Sequence, residues 1–246
     1  MKIALVGNSH LVAYKSAEEQ IKQRYPDVEL SFFSLHNQDF FRNAFKNAQG
    51  LPFDASKMRD GHAVIDQAGP DHLRFEAFER VFLTSHGFYL GALLDVLATY
   101  DILDLQPVGR NALISWPCVQ DFIEARLRYY SRRLNDFFPL AQNVTIVQMP
   151  FPAEQALKTH PHLARAVEQP DLAEVFHRYT ARIETQLASL DAAYQPIPED
   201  LLAAPFVMQS IYARAKEVAR PNQVRDADYT HMNAKFALRM FDAFLK

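Results

Sequence analysis

The chain opens with Met1-Lys-Ile-Ala-Leu-Val-Gly-Asn-Ser-His10, and this stretch decides the fold. Residues 1–6 form a short apolar run with β-branched members, which predicts a buried strand, and Gly7 ends it. Helical spacing follows over residues 14–24, and an alternating, Phe-rich run over residues 28–35 predicts a second strand. This β-loop-α-β order favours a parallel sheet with helices on both faces.

Outward from this opening, three further strands and three helices are predicted. The strands cover residues 80–85, 143–149 and 193–197, and the helices cover residues 118–138, 172–192 and 233–246. Residues 36–75 are expected to form an insertion or loops packed at one end of the sheet. No repeat or linker-like stretch divides the chain. We therefore predict one domain over residues 1–246, an α/β fold of three layers (α/β/α) with about five mostly parallel strands.

Composition excludes several classes of protein. The 246 residues include one Cys, and 26 Lys plus Arg against 29 Asp plus Glu give a net charge of −3. A chain without a basic excess is a poor match for a protein that neutralises many phosphates, so no nucleic-acid partner is expected. One Cys rules out an intramolecular disulfide and Cys-rich metal sites.

The sequence also lacks targeting and cofactor signatures. No apolar run approaches the roughly 18 residues that cross a bilayer. The first apolar run ends at Gly7, which is short for a signal peptide, so a cytoplasmic location is expected. Glycine-rich nucleotide loops and His-Glu-x-x-His are absent, and the histidines at 160, 162 and 177 lack a completing ligand. We therefore predict neither a cofactor nor a metal.

Candidate chemistry lies where strands end, because ligands in open parallel sheets bind at the carboxyl ends of the strands. Those positions are residues 7–10, 85–87 and 150–152, together with the segment before the last helix. Glycine is scarce, with 7 in the chain, and Gly7 is expected to turn the chain sharply off the first strand. Ser9 then lies near a helix start, where backbone N–H groups can stabilise an oxyanion.

The second chemical segment is Asp228-Tyr-Thr-His-Met-Asn233, predicted as a loop that enters the last helix. An Asp three residues before a His can hold the imidazole tautomer and stabilise the imidazolium. The other ring nitrogen is then available to take a proton from a serine. Ser9, Asp228 and His231 thus supply a nucleophile, an orienting carboxylate and a base.

These two motifs resemble those of the SGNH (GDSL-type) hydrolase superfamily, whose members begin with a strand and Gly-Asp-Ser and end with Asp-x-x-His before the last helix. The resemblance implies a flavodoxin-like sheet, Ser9 as nucleophile, His231 as base and Asp228 as its orienting partner. It also implies that the Ser9 N–H forms part of the oxyanion hole. The expected activity is that of a serine esterase or acyltransferase. Members with a Gly-Asn-Ser-His opening resemble proteins acting on surface polysaccharides, which implies a small-molecule or carbohydrate ester as substrate.

The central blocks depart from the family pattern. The third strand leads into Ser85-His86-Gly87 instead of Gly-x-Asn-Asp, and the glycine block after the second strand is unmatched. Other candidates for oxyanion or substrate contacts, by position, are Gly7, Asn8, His10 and Asn233.

Plainer interpretations stay open. Ser9 and Asp228 can each cap a helix, Asn233 can begin one, and His10 can be a packed imidazole. Two other functions also fit: a binding protein of the same fold that has lost its oxyanion hole, and a flavodoxin-like phosphate or nucleotide binder at residues 7–10.

Overall fold

The computed structural model of the chain describes residues 1–34, 51–52, 72–84, 91–137, 142–190, 192–214, 218–220, 223–224 and 228–245. For some of these only the backbone is described: residues 34, 51–52, 72–73, 91, 133, 135–137, 218–220, 223–224 and 228.

The strands and helices of the described residues are numbered in chain order. The strands are β1 (Lys2–Gly7), β2 (Glu29–Ser34), β3 (Leu51–Pro52), β4 (His72–Leu73), β5 (Arg80–Thr84), β6 (Tyr100–Ile102), β7 (Ala112–Ile114), β8 (Val144–Val147), β9 (Ala193–Gln195), β10 (Leu202–Ala204), β11 (Val207–Met208), β12 (Ala213–Arg214), β13 (Val218–Arg220), β14 (Gln223–Val224) and β15 (Asp228–Met232). The helices are α1 (Leu11–Ser16), α2 (Glu18–Arg24), α3 (Gly91–Thr99), α4 (Trp116–Phe137), α5 (Pro161–Ala166), α6 (Leu172–Ala188) and α7 (Ala234–Phe244).

The central sheet has five strands in the order β2-β1-β5-β8-β9, and all four pairings are parallel. Counted along the chain this order is 2-1-3-4-5, the flavodoxin-like arrangement, whose crevice opens between the first and third strands. Strand β1 lies at that switch point. Its residues 3–6 are fully buried, as expected for a strand covered on both faces.

Helices form a layer on each face of the sheet, because right-handed crossovers in opposite directions from β1 place them on opposite sides. On one face α1 and α2 pack with α7, and the ring of Phe244 stacks on Phe82 of β5 with centroids 4.1 Å apart. On the other face α4 packs against α6, and α6 contacts β9. The predicted three-layer α/β/α fold is confirmed.

All five predicted sheet strands are present, with ends within about two residues of the prediction. The helix predicted over residues 14–24 is two helices that meet at Ala17, and the one predicted to reach residue 192 ends at Ala188. Most of residues 36–75 lies outside the described residues. Single-domain organisation stays a prediction. Within the described ranges, no helix is both long and apolar enough to cross a membrane.

Candidate active site

Gly7 ends β1 against the end of β5. A Cβ at this position would lie 2.2 Å from Thr84 Oγ1 and 2.9 Å from both the Thr84 carbonyl oxygen and Leu11 Cγ. Among the described residues, a positive φ occurs only at Phe206 and Gly109. The chain does turn directly after Gly7, but the φ of Gly7 is not positive, so the turn does not use the left-handed freedom of glycine. Glycine is needed here because the backbone of β1 and the side chain of Thr84 approach too closely for any side chain.

The turn after β1 places Ser9 on the surface between two buried neighbours. Asn8 and His10 are 4% and 8% exposed, whereas Ser9 is exposed. Asn8 Oδ1 accepts a hydrogen bond from the His10 N–H at 3.1 Å, and the Asn8 carbonyl accepts one from the Leu11 N–H at 2.9 Å. These local bonds fix the start of α1 and hold the Ser9 side chain at the carboxyl edge of the sheet.

His231 lies on a bulged strand. The sequence predicted a loop over residues 228–233, but residues 228–232 form β15, which pairs antiparallel with β12. Ala213 faces Met232 and the next residue, Arg214, faces Asp228, so residues 229–231 bulge out of the ladder. The bulge brings His231 to the nucleophile candidate, with Ser9 Oγ 2.8 Å from His231 Nε2.

Contacts with distant parts of the chain help to hold the His231 segment in place. The Tyr229 carbonyl accepts a hydrogen bond from the Ala153 N–H at 2.9 Å, and the Asn233 N–H donates to the Tyr212 carbonyl at 2.9 Å. The His231 ring stacks on the His10 ring with centroids 4.5 Å apart and planes inclined by 26°. Segment 210–214, which supports this arrangement, has no motif or periodicity that sequence reasoning could have used.

Asn233 acts as the N-cap of α7. Its Oδ1 accepts from the N–H groups of Lys235 and Phe236, at 3.0 and 3.2 Å. Its Nδ2 donates to the carbonyls of Ile211 and Ala213, at 2.8 and 3.0 Å. Because both Nδ2 hydrogens are used in this way, the structure favours the capping interpretation of Asn233 over an oxyanion contact.

Several candidates are outside what the structure describes. Ser85, His86 and Gly87 are not among the described residues, and of Asp228 only the backbone is described. Their predicted roles stay predictions.

An open pocket of about 280 Å³ lies over the Ser9–His231 pair. Its described lining combines the turn after β1, the bulge of β15 and the segment after β8: Asn8, Ser9, His10, Met149, Pro150, Pro152, Thr230 and His231. Three of the four predicted strand-end segments therefore meet at one pocket. In the part of the chain that the structure describes, no group of three His, Cys, Asp or Glu side chains lies close enough to hold a metal.

Comparisons with known proteins give little. No family profile and no curated protein matches the sequence. Among solved structures, the chain is similar to the periplasmic domain of a lipopolysaccharide acetyltransferase from Salmonella ser. Paratyphi A. The identity is 10% and the TM-score 0.40, over 99% of this chain and 81% of that one. A likeness this weak carries no argument about activity.

Proposed function

We propose that this chain is a serine hydrolase or acyltransferase that acts on an ester, with Ser9 as nucleophile and His231 as general base. One observation supports this above all: Ser9 Oγ lies 2.8 Å from His231 Nε2 at an open pocket. A nucleophile and a base within hydrogen-bond reach are the geometric signature of this chemistry. The two residues are 222 positions apart in sequence, so the sheet and the β15 bulge have to bring them together.

The reaction proceeds in two steps. Ser9 Oγ attacks the ester carbonyl carbon while His231 Nε2 takes the hydroxyl proton, and a C–O bond forms. The tetrahedral intermediate then collapses, the ester C–O bond breaks, and His231 returns the proton to the departing alcohol. The acyl-Ser9 ester is resolved by water in a hydrolase or by an acceptor hydroxyl in a transferase, with His231 again moving the proton.

The backbone around Ser9 supports an oxyanion contact. The carbonyls of Asn8 and Ser9 accept hydrogen bonds from the N–H groups of Leu11 and Val12 in the first turn of α1. Within the described residues, the Ser9 N–H itself donates to no acceptor. This N–H is therefore available to the oxygen that becomes negative in the tetrahedral intermediate. Residues 85–87 are proposed to supply a further donor, since the third strand of the sheet leads into them.

Asp228 is proposed to orient His231. For the Ser9 hydroxyl to donate to Nε2, neutral His231 must carry its proton on Nδ1, and a carboxylate on that side would hold this tautomer. In a regular strand, side chains three residues apart point to opposite faces. The bulge at residues 229–231 interrupts this alternation, because Asp228 and Met232 pair with consecutive residues of β12. We therefore propose that the carboxylate of Asp228 reaches the Nδ1 side of the His231 ring.

The substrate is proposed to be a small-molecule or carbohydrate ester. Apolar atoms of Met149, Pro150 and Pro152 line the pocket beside the polar Ser9 and Thr230 side chains. Such a mixed wall suits a short acyl group attached to a polar alcohol.

Labelling with a fluorophosphonate tests the proposal. We expect wild-type protein to become covalently labelled on Ser9, Ser9→Ala to lose labelling, and His231→Ala to label roughly 10²–10⁴-fold more slowly. Intact-mass and peptide mass spectrometry locate the adduct, and circular dichroism confirms that each variant is folded. Ser189→Ala is the matched control, because Ser189 is also exposed but lies at the end of α6, and it should label like wild type. Folded wild-type protein that stays unlabelled, or labels elsewhere than Ser9, would show a protein that only binds ligands or has another chemistry.

A further inference from the structure

His10 is a buried imidazole directly after the proposed nucleophile. It is 8% exposed, and its ring lies face to face with the His231 ring at 4.5 Å. Its backbone is fixed on both sides, since its N–H donates to Asn8 Oδ1 and its carbonyl accepts from the Ala13 N–H. The chain thus presents two imidazoles at one site, and the reaction described above uses only one of them.

The surroundings of His10 leave its ring little freedom. A residual cavity of only about 10 Å³ lies beside it, lined by α1, the ends of β5 and β8, and the start of α7: Tyr14, Thr84, Val147, Gln148, Pro150, Met232 and Phe236. A void of this size is barely enough for one water molecule. The His10 ring is therefore a fixed surface, held by the core of the sheet and by the first and last helices.

His231, in contrast, projects from a bulge. Rotation about its side-chain bonds would move Nε2 away from Ser9, and the contact of Nδ1 with Thr230 Oγ1 is long, at 3.4 Å. The His10 ring covers one face of the His231 ring. In a face-to-face stack the ring nitrogens point along the edges of the two rings, so no proton passes directly between them.

We propose that His10 is a positioning residue: its ring is an aromatic platform that holds the His231 imidazole in the plane from which Nε2 reaches Ser9 Oγ. This inference rests on the proposed function, because it assigns His10 a role in placing the proposed base. The role belongs to the aromatic face of His10. It needs neither a charge nor a hydrogen bond from that side chain.

Three substitutions at His10 distinguish a role of its aromatic face from a role of its ring nitrogens or of its volume alone. His10→Phe keeps a flat ring and removes the ring nitrogens, His10→Leu keeps similar volume without a ring, and His10→Asn keeps a polar group near the position of Nδ1. With p-nitrophenyl acetate as probe substrate, we expect His10→Leu and His10→Asn to lose about 10–100-fold in kcat with KM changed less than threefold, since small misplacements of a catalytic group cost this much. His10→Phe should recover at least tenfold in kcat over His10→Leu.

Two results would overturn the proposal: equal kcat for the Phe and Leu variants, or a His10→Asn variant with wild-type kcat. If one of the non-aromatic variants does not fold, the other still makes the comparison with Phe. Fluorophosphonate labelling rates should follow the same order, because labelling also needs the base.

A second readout does not depend on activity. The His231 ring protons should show a ring-current shift in the NMR spectrum of wild type and His10→Phe that is lost in His10→Leu and His10→Asn. If Ser9 is never labelled but this shift is present and follows the ring, the proposed function fails while the platform stands. If wild type is labelled on Ser9 and the shift is absent, the platform fails while the proposed function stands.

Discussion

The two halves of the Ser9–His231 pair are held in different ways. We call β1 and the turn that carries Ser9 the nucleophile side, and β15 with its supporting segment 210–214 the base side. Ser9 follows the most buried strand of the sheet, and its turn is fixed by hydrogen bonds between residues no more than three apart. His231 lies on a five-residue strand that pairs with a two-residue partner and is interrupted by a bulge. Its supports come from Ala153, Tyr212 and His10, which are distant in sequence.

Because of this difference, we expect substitutions near Ser9 and substitutions near His231 to have different effects on stability and on reactivity. The position of Ser9 is set by the same packing that forms the sheet, so a change there should affect the free energy of unfolding first. The position of His231 depends on a few contacts with residues that are distant in sequence. Changes there should affect the reactivity of Ser9 while leaving most of the stability in place.

The largest effect is expected at Gly7, on the nucleophile side. Gly7→Ala places a Cβ 2.2 Å from Thr84 Oγ1 and 2.9 Å from the Thr84 carbonyl oxygen, inside the parallel sheet. We expect a loss of about 3 kcal/mol in the free energy of unfolding, at the upper end of overpacking costs, because backbone atoms must move. Urea denaturation measures this loss. Adding Thr84→Ala should restore part of it, since that change removes the nearest atom but leaves the carbonyl oxygen.

Gly109 is the matched control for Gly7. Its φ is +82° and a Cβ there would have no neighbour within 4 Å, so Gly109→Ala is penalised by backbone conformation alone. The expected loss is about 1 kcal/mol. Equal losses for the two glycine variants would contradict the view that Gly7 is required for close packing.

On the base side, Asn233 links the cap of α7 to the segment that supports His231. Asn233→Ala removes the cap and should lower the free energy of unfolding by about 1–2 kcal/mol. Asn233→Ser keeps a capping oxygen but loses the Nδ2 bonds to the Ile211 and Ala213 carbonyls. We expect it to stay within about 0.5 kcal/mol of wild type, because serine caps nearly as well as asparagine.

The labelling rate of Asn233→Ser tests whether the two Nδ2 bonds also help to position His231. Fluorophosphonate labelling of Ser9 should slow several-fold although thermal unfolding is nearly unchanged, because the strand that carries His231 loses two of its supports. A Ser variant that labels at the wild-type rate would show that these bonds serve only the helix cap.

The sequence predicted the nucleophile side better than the base side, for a physical reason. A buried parallel strand such as β1 needs a continuous apolar run, so its position and its end at Gly7 are visible locally. The rule that parallel strands open at one edge then placed the turn after β1 and the segment after β8 together. The packing reason for glycine at position 7 could not be foreseen, because the shortage of space against Thr84 arises only when β5 pairs with β1.

The base side could be predicted only as a motif. Asp228-x-x-His231 marked the residues, but the strand β15 and its bulge exist through pairing with β12, which is two residues long and has no signal of its own. The stack of His10 on His231 depends on that bulge and could not be foreseen for the same reason. Asn233 lies between these two cases. Its role as a helix cap can be predicted from the local sequence, but its bonds to the carbonyls of residues 211 and 213 cannot.

The smallest effect is expected at low pH, where the base side should open locally more readily than the nucleophile side. Glu154, two residues after Pro152 of the pocket, accepts hydrogen bonds from Ser210 Oγ at 2.7 Å and from the Ser210 N–H at 3.0 Å. These bonds, the side-chain one first, hold the pKa of Glu154 below its ordinary value of 4.5. Ser210 begins the short helix that contains Tyr212, whose carbonyl supports Asn233.

A carboxylate whose pKa is lowered by folding stabilises the folded state above its unfolded pKa, and this contribution disappears as the pH falls through the folded value. Below about pH 4.5, amide hydrogen exchange of the Ser210 N–H, corrected for its intrinsic rate, should therefore accelerate relative to that of Leu11 at the start of α1. Glu154→Gln should abolish this pH dependence. Because Glu154 is exposed, we expect the change to correspond to less than about 1 kcal/mol. Parallel acceleration at both amides would instead mean that the two sides of the site open together, and that the difference in how they are held has no consequence for their local stability.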